Sequence, residues 1–182
     1  MNCQISVGLC GAHNTIGFID KHNHEMTSYK TRCPGLISIV TRRQNLLDAF
    51  AVGSDGRVYT AAWLPGDNAF RGWWKIGRTD LEVPPCSTAT AGSRSENNVD
   101  VFVTGIDGQV YTAAWELSNS WRGWWPVANL KAQPGSPVSA VSRSANKLDI
   151  FVAGADGKVW TAAWRPSDGS NRFRGWWRVG RR

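Results

Sequence analysis

Three stretches of the chain repeat a single phrase. Leu47–Trp63 reads LDAFAVGSDGRVYTAAW, Val99–Trp115 reads VDVFVTGIDGQVYTAAW, and Leu148–Trp164 reads LDIFVAGADGKVWTAAW. In each, Asp-Gly separates two apolar runs of strand length. A two-residue turn needs positive φ, which Gly accepts freely and Asp tolerates, so the phrase predicts a β-hairpin. The runs are apolar at successive positions. In Asp149–Gly154, Ile150 and Val152 point one way, while Phe151 and Ala153 point the other. A strand apolar on both faces belongs in a sheet covered on both sides.

Working outward, each phrase is followed by Arg-Gly-Trp-Trp, starting at Arg71, Arg122 and Arg174. Each is preceded by a hydroxyl residue and an arginine: Thr41-Arg42, Ser93-Arg94 and Ser142-Arg143. These arginines are 52 and 49 residues apart, as are Gly56, Gly108 and Gly157 of the turns. The spacing slips only between TAAW and RGWW, in turn-rich linkers that tolerate changes of length. Each repeat reads as four strands. The first is Ile37–Arg42, Thr88–Arg94 or Val138–Arg143. The second is Asp48–Gly53 and its equivalents, the third Arg57–Trp63 and its equivalents, and the fourth the RGWW segment. No stretch sustains a 3.6-residue period, so almost no helix is expected.

The repeats run from about Pro34 to the end, in units of about 34–85, 86–133 and 134–182. Four-stranded sheets recurring at this period and packed face to face make β-propeller blades. The expected fold is all-β, a partial propeller of three blades. The ring closes by oligomerisation, a dimer being favoured, or it continues in a longer chain. A β-trefoil, also built from three four-stranded units, is the alternative.

Composition agrees. With 182 residues, 42% hydrophobic and 19% charged, the chain is globular rather than disordered. No apolar run approaches the ~20 residues of a membrane-spanning helix, so no membrane insertion is expected. The N-terminus lacks the basic and apolar regions of a secretory signal, and localisation stays open. Residues 1–33 fall outside the repeats and read as an irregular segment. Gly17-Phe18-Ile19, Asn23-His24 and Met26–Tyr29 can be laid over the hairpin phrase as a worn half-blade. This segment holds Cys3, Cys10, Cys33, His13, His22 and His24, with Cys86 further on. No C-x₂₋₄-C pair occurs, so neither a metal nor another cofactor is expected. Buried thiols or one disulfide remain the plainer readings.

The combination of Asp-Phe strand, Asp-Gly hairpin, TAAW and RGWW, three times over, resembles the PLL-type bacterial lectins. The resemblance covers the repeats and not the first 33 residues. It implies the blades of a seven-bladed β-propeller that binds fucose and related sugars. It also implies a protein acting outside the cell or at its surface. This chain departs from the family in having three blades, which cannot close a ring alone.

A sugar presents an apolar face and a rim of hydroxyls, so its site needs an aromatic plate beside charged or amide groups. The repeats supply both in triplicate. Arg71, Arg122 and Arg174 are candidate donors. Trp73 and Trp74, Trp124 and Trp125, Trp176 and Trp177 are candidate plates. Neighbours in a strand face opposite ways, so one member of each pair is expected in the core. Tyr59, Tyr111 and Trp160 share a strand face with Trp63, Trp115 and Trp164. They serve either as a sugar-binding wall or as packing between blades. Arg42, Arg94 and Arg143 could line a pocket rim. Some fucose-binding propellers pair an arginine with a glutamate and a tryptophan, but no glutamate recurs here. Asp48, Asp100 and Asp149 read as turn chemistry, with Asn45, Asn97 and Asn146 beside them. Asp55, Asp107 and Asp156 of the Asp-Gly turns read as structural.

No asymmetric set of acid, base and nucleophile stands out, so an enzyme is not expected. Threefold repetition suits polyvalent binding of glycans, fucosylated ones favoured. The net charge of +7 and the Arg-Trp pairs keep single-stranded nucleic acid as a weaker alternative. Its basic residues are dispersed rather than clustered. A non-catalytic protein-interaction platform is a third reading.

Overall fold

A computed structural model describes residues 14–19, 25–31, 36–77, 81–85, 87–117, 119–166 and 172–180, with side chains from residue 36 onward. The described residues form fourteen strands and no α-helix. Strands β1 (Asn14–Ile19) and β2 (Glu25–Thr31) pair antiparallel within the segment read as irregular or as a worn half-blade. The cysteines and histidines noted there lie outside the described residues.

The rest is three four-stranded antiparallel sheets, each in chain order. The first holds β3 (Ser38–Arg43), β4 (Leu46–Val52), β5 (Val58–Trp63) and β6 (Arg71–Lys75). The second holds β7 (Thr90–Ser95), β8 (Asn98–Thr104), β9 (Gln109–Glu116) and β10 (Asn119–Lys131). The third holds β11 (Val138–Ser144), β12 (Lys147–Ala153), β13 (Val159–Trp164) and β14 (Phe173–Arg178). First strands β3, β7 and β11 lie side by side across the sheets. The three sheets are therefore separate blades stacked in sequence, open rather than closed, and the trefoil is excluded.

The Asp-Gly turns close as the sequence predicts. Gly56, Gly108 and Gly157 take φ of +70°, +75° and +72°. Asp55, Asp107 and Asp156 each accept the backbone N–H two residues on, at 3.0–3.1 Å. The same carboxylates hold the aromatic residue of the following strand: Tyr59 at 2.7 Å, Tyr111 at 3.0 Å and the Trp160 indole at 3.1 Å. The Trp160 indole and the Lys158 N–H hold the Asp156 carboxyl below the usual carboxylate range.

The core lies between blades. Phe50, Val52, Val58 and Ile76 of the first blade pack with Ala89, Val99, Val101 and Val103 of the second. Phe102, Val110 and Val127 of the second pack with Val138, Leu148, Ile150 and Val152 of the third. Both faces of the middle blade are thereby buried, as its doubly apolar strands require. The backbones of neighbouring blades also bond: Asn146 N donates to Arg94 O at 3.0 Å and Ala155 N to Lys131 O at 2.9 Å.

Gly92 lies against Leu148 where blades two and three meet. A Cβ built there would lie 2.9 Å from Leu148 Cδ1. Leu148 is fully buried and has no room to move. Gly92→Val is therefore expected to lower stability by about 1–3 kcal/mol through overpacking. A shift of the urea midpoint at unchanged slope is the readout, and an unchanged midpoint would show that this seam is loose.

Candidate functional site

The candidate site is built on a register shift that recurs in every blade. In the first, Thr60 stands opposite Trp74 and Ala62 opposite Arg71. In the second, Thr112 faces Trp125 and Ala114 faces Arg122. In the third, Thr161 faces Trp177 and Ala163 faces Arg174. Three residues of the outer strand thus span two of its partner, which is a β-bulge. Arginine and second tryptophan, three apart, would otherwise face opposite ways. The bulge puts them on one face. Gly72 takes φ of +35° in this turn of the chain.

The second tryptophan of each pair, Trp74, Trp125 or Trp177, is exposed, while Trp73, Trp124 and Trp176 are half-buried. Trp124 donates its indole N–H to Ile76 O at 3.2 Å, and Trp176 to Val127 O at 2.6 Å. Both acceptors belong to the preceding blade. The inner tryptophans of blades two and three therefore clamp one blade to the next.

Behind the exposed rings lies an ion pair that the sequence reading missed. Asp48, Asp100 and Asp149 are not turn residues. They sit inside β4, β8 and β12 and are buried. Each holds the arginine six residues before it. Arg42 Nε donates to Asp48 Oδ2 at 2.7 Å and Nη2 to Oδ1 at 3.3 Å. Arg94 does the same to Asp100 at 2.6 and 3.2 Å. Arg143 pairs with Asp149 likewise, its Nη2 at 3.0 Å from Oδ1. Burial pushes the Asp100 carboxyl up, and the Arg94 charge opposes that. The signal available in the sequence was the constant six-residue Arg-to-Asp interval in all three repeats. Asn45 and Asn146 do adopt the turn conformation, with φ of 58° and 57°.

The next blade covers each pair with a ring. The Arg42 guanidinium lies 4.2 Å from the ring centroid of Trp115, and Arg94 lies 4.3 Å from Trp164. A cation held on an aromatic face in a desolvated seam is favourable by about 2 kcal/mol. An edge contact repeats beside it: Trp121 meets Phe50 at 5.9 Å and Phe173 meets Phe102 at 5.5 Å. Trp63 and Trp164 in turn meet Phe70 and Phe173 edge-on.

Two clefts lie between blades, and the buried Arg-Asp pair lines the first of them only. One, of about 300 Å³, lies between blades one and two and is bounded by Arg42, Asp48, Trp74, Trp115 and Trp121. The other, of about 520 Å³, lies between blades two and three, with Trp125 on one side and Phe173, Arg174 and Gly175 on the other. Beneath this second seam, Thr112 Oγ1 and Trp164 Nε1 are buried without a hydrogen-bond partner. Of the candidate donors Arg71, Arg122 and Arg174, only Arg174 lines a cleft, and the other two pair with acids on their own blade. Arg71 reaches Asp67 at 2.6 and 2.9 Å and keeps its carboxyl below the usual range. Arg122 pairs with Glu116. Tyr59, Tyr111 and Trp160 are bound to their turn carboxylates, away from both clefts.

No family model and no curated protein matches the sequence. Solved structures do. The BP39L lectin from Burkholderia pseudomallei superposes with a TM-score of 0.67 at 23% identity, over 79% of this chain and 41% of that one. A six-bladed β-propeller lectin from Aleuria aurantia superposes at 0.54 and 18% identity, over 81% of this chain and 46% of that one. The fold is that of the β-propeller lectins. This chain carries three blades of it and spans about half the length of those lectins or less. A fucose lectin from Kordia zhangzhouensis, solved with methyl-fucoside, matches over 80% of this chain and 99% of that one, at TM-score 0.52 and 13% identity. At such identities the likeness establishes the propeller fold and leaves the ligand to be argued from the clefts.

Proposed function

We propose that the chain is a non-catalytic lectin whose sugar sites are the clefts between blades. The observation that carries this is the recurring set at each seam: a fixed Arg-Asp pair, an indole over the arginine, and an exposed indole at the mouth. A monosaccharide has one apolar face for the exposed ring. Its hydroxyls meet the Arg42 edge and the Asp48 carboxylate in the first cleft and Arg172 and Arg174 in the second, groups that form charge-assisted hydrogen bonds. Clefts of this size suit a single sugar ring. Fucose is the favoured ligand, because the structural neighbours are described as fucose lectins. The first cleft brings an arginine, an acid and tryptophans together, with aspartate in the acidic role. Trp74 and Trp125 are the plates of the two clefts, and Arg174 contributes in the second.

Several weak sites on one particle gain avidity on a glycan-coated surface. Two copies of the chain would supply six blades, the number in the Aleuria lectin. Screening on a glycan array at moderate salt, with free fucose as competitor, tests the reading. Fucosylated hits that disappear on competition are expected. A blank array, with retention on single-stranded DNA that falls steeply with salt, would instead assign the clefts to nucleic acid.

A further inference from the structure

The two clefts are built from matching positions of the repeat and differ in charge. Trp74 lines the first, and its counterpart Trp125 lines the second. Across from them, Ser120-Trp121 bounds the first cleft and the matching pair Arg172-Phe173 bounds the second. A small neutral hydroxyl in one cleft is thus a guanidinium in the other. The arginine of the first cleft is already engaged. Arg42 gives Nε and Nη2 to Asp48 at 2.7 and 3.3 Å, and Nη1 to Glu96 O at 3.5 Å. The second cleft carries Arg172 and Arg174, and among the described residues no acid lines it. Residues two apart on an extended segment share a face, so both guanidinium groups stand on one side of the chain. The groups behind this cleft donate as well. Thr112 stands opposite Trp125 in the β9–β10 register, so the two side chains share a face. Its hydroxyl is buried and has no hydrogen-bond partner among the described residues. Trp164 meets Phe173 edge-on at 5.6 Å, and its buried indole N–H is likewise unpartnered. An indole N–H only donates. The counterparts Thr60 and Trp115 line the first cleft directly.

A cleft with donors in excess of acceptors suits a ligand of negative charge. A planar guanidinium also meets the oxygens of an oxyanion two at a time. We infer that the second cleft selects a saccharide bearing an anionic group, a sulfate ester or a carboxylate, with its ring on Trp125 and its anion on Arg172 and Arg174, while the first cleft takes neutral sugar. This rests on the proposed lectin reading and assigns its two sites to different ligands. Arg172 is the residue that sets the preference, and Ser120 holds its place in the first cleft. There Asp48, already balanced by Arg42, opposes an added anion. The cleft fits a sugar better than a nucleic acid. Single strands bind along a cationic groove with several stacking rings. Two arginines and one exposed indole around a cleft of about 520 Å³ match a single charged ring.

The test is calorimetric titration of the full chain in two backgrounds, with circular dichroism to check folding. Trp74→Ala removes the plate of the first cleft and reads the second; Trp125→Ala reads the first. Each anionic sugar is compared with its neutral parent: the 3-O-sulfate of methyl α-fucoside with methyl α-fucoside, and methyl β-glucuronide with methyl β-glucoside. In Trp74→Ala at least one anionic sugar is expected to bind about tenfold tighter than its parent at low salt. Which pair shows the gain tells a sulfate ester from a carboxylate. The gain should shrink as salt rises, because exposed charges are screened. In Trp125→Ala neither anionic sugar is expected to gain. Adding Arg172→Ser to Trp74→Ala should abolish the gain, and adding Ser120→Arg to Trp125→Ala should create one. Both positions are exposed, so both substitutions are expected to leave the fold intact. Neutral fucoside bound at both clefts with no anionic gain, or a gain untouched by Arg172→Ser, would overturn the inference and leave the lectin reading standing. No saccharide of either charge bound in the wild type or either background would sink both. An Arg172-dependent affinity for a single-stranded oligonucleotide without any for the sugars would overturn both in favour of nucleic acid.

Discussion

Arg94→Ala is expected to cost about 3–5 kcal/mol, because it strands a buried carboxylate. Arg94 and Asp100 are both almost fully buried, and the guanidinium also lies on Trp164. Truncation removes the charge that opposes the desolvation of Asp100 and empties the middle of the seam. The pH dependence follows from the direction of the Asp100 shift. A carboxyl whose folded pKa lies above its unfolded value contributes stability at low pH and loses it as pH rises through that folded value. Without Arg94 the carboxyl rises further. The deficit of the variant should therefore be smaller at acidic pH than at neutral pH. Urea denaturation at both values measures it. A loss below about 1 kcal/mol at neutral pH would show that the pair is only a surface salt bridge. Arg143→Ala should cost far less stability than Arg94→Ala, because Arg143 is exposed.

The second large effect falls on binding and spares stability. Trp74 and Trp125 are exposed at the mouths of the two clefts, and Trp124 and Trp176 carry the structural load instead. Trp74→Ala and Trp125→Ala should each change stability by no more than about 0.5 kcal/mol. Each should weaken fucoside binding at its own cleft by about 2 kcal/mol, or about thirtyfold in Kd. The double variant should lose most retention on a fucosylated surface, since avidity falls with each site. Trp124→Ala offers the contrast: it removes an interblade hydrogen bond and is expected to unfold earlier. Equal stability losses for Trp74→Ala and Trp124→Ala would show that both rings are core, leaving the clefts without plates.

Much of the fold was legible in the sequence, because the signals were local and repeated. Asp55-Gly56 and its counterparts fix a hairpin by turn chemistry alone. Leu148–Ala153, apolar on both faces, requires a neighbour on each side, and stacked blades provide it. The site was only partly legible, for two physical reasons. Strand alternation decides which of Trp73 and Trp74 is exposed only if the strand is regular, and the bulge at Gly72 breaks that regularity. Asp48 lies in a sequence context rich in turn residues, beside Asn45, yet its backbone belongs to β4. Its partner Arg42 lies on the neighbouring strand, a pairing fixed by the β3–β4 register, Val40 standing opposite Asp48. The indole over that arginine comes from another blade, 73 residues further along the chain. Contacts between repeats leave no mark in the pattern within one repeat. The unequal exposure of Val58, Val110 and Val159 follows from blade position, since three blades that cannot close a ring leave an apolar face open at each end.

The most direct test of the central claim is a calorimetric titration of methyl α-fucoside into the chain at high salt, run beside the Trp74→Ala/Trp125→Ala double variant. The account predicts saturable heat that persists at high salt in the wild type and is largely lost in the equally stable double variant. No saturable heat in the wild type, or heat undiminished in the double variant, would contradict sugar binding at the clefts between blades.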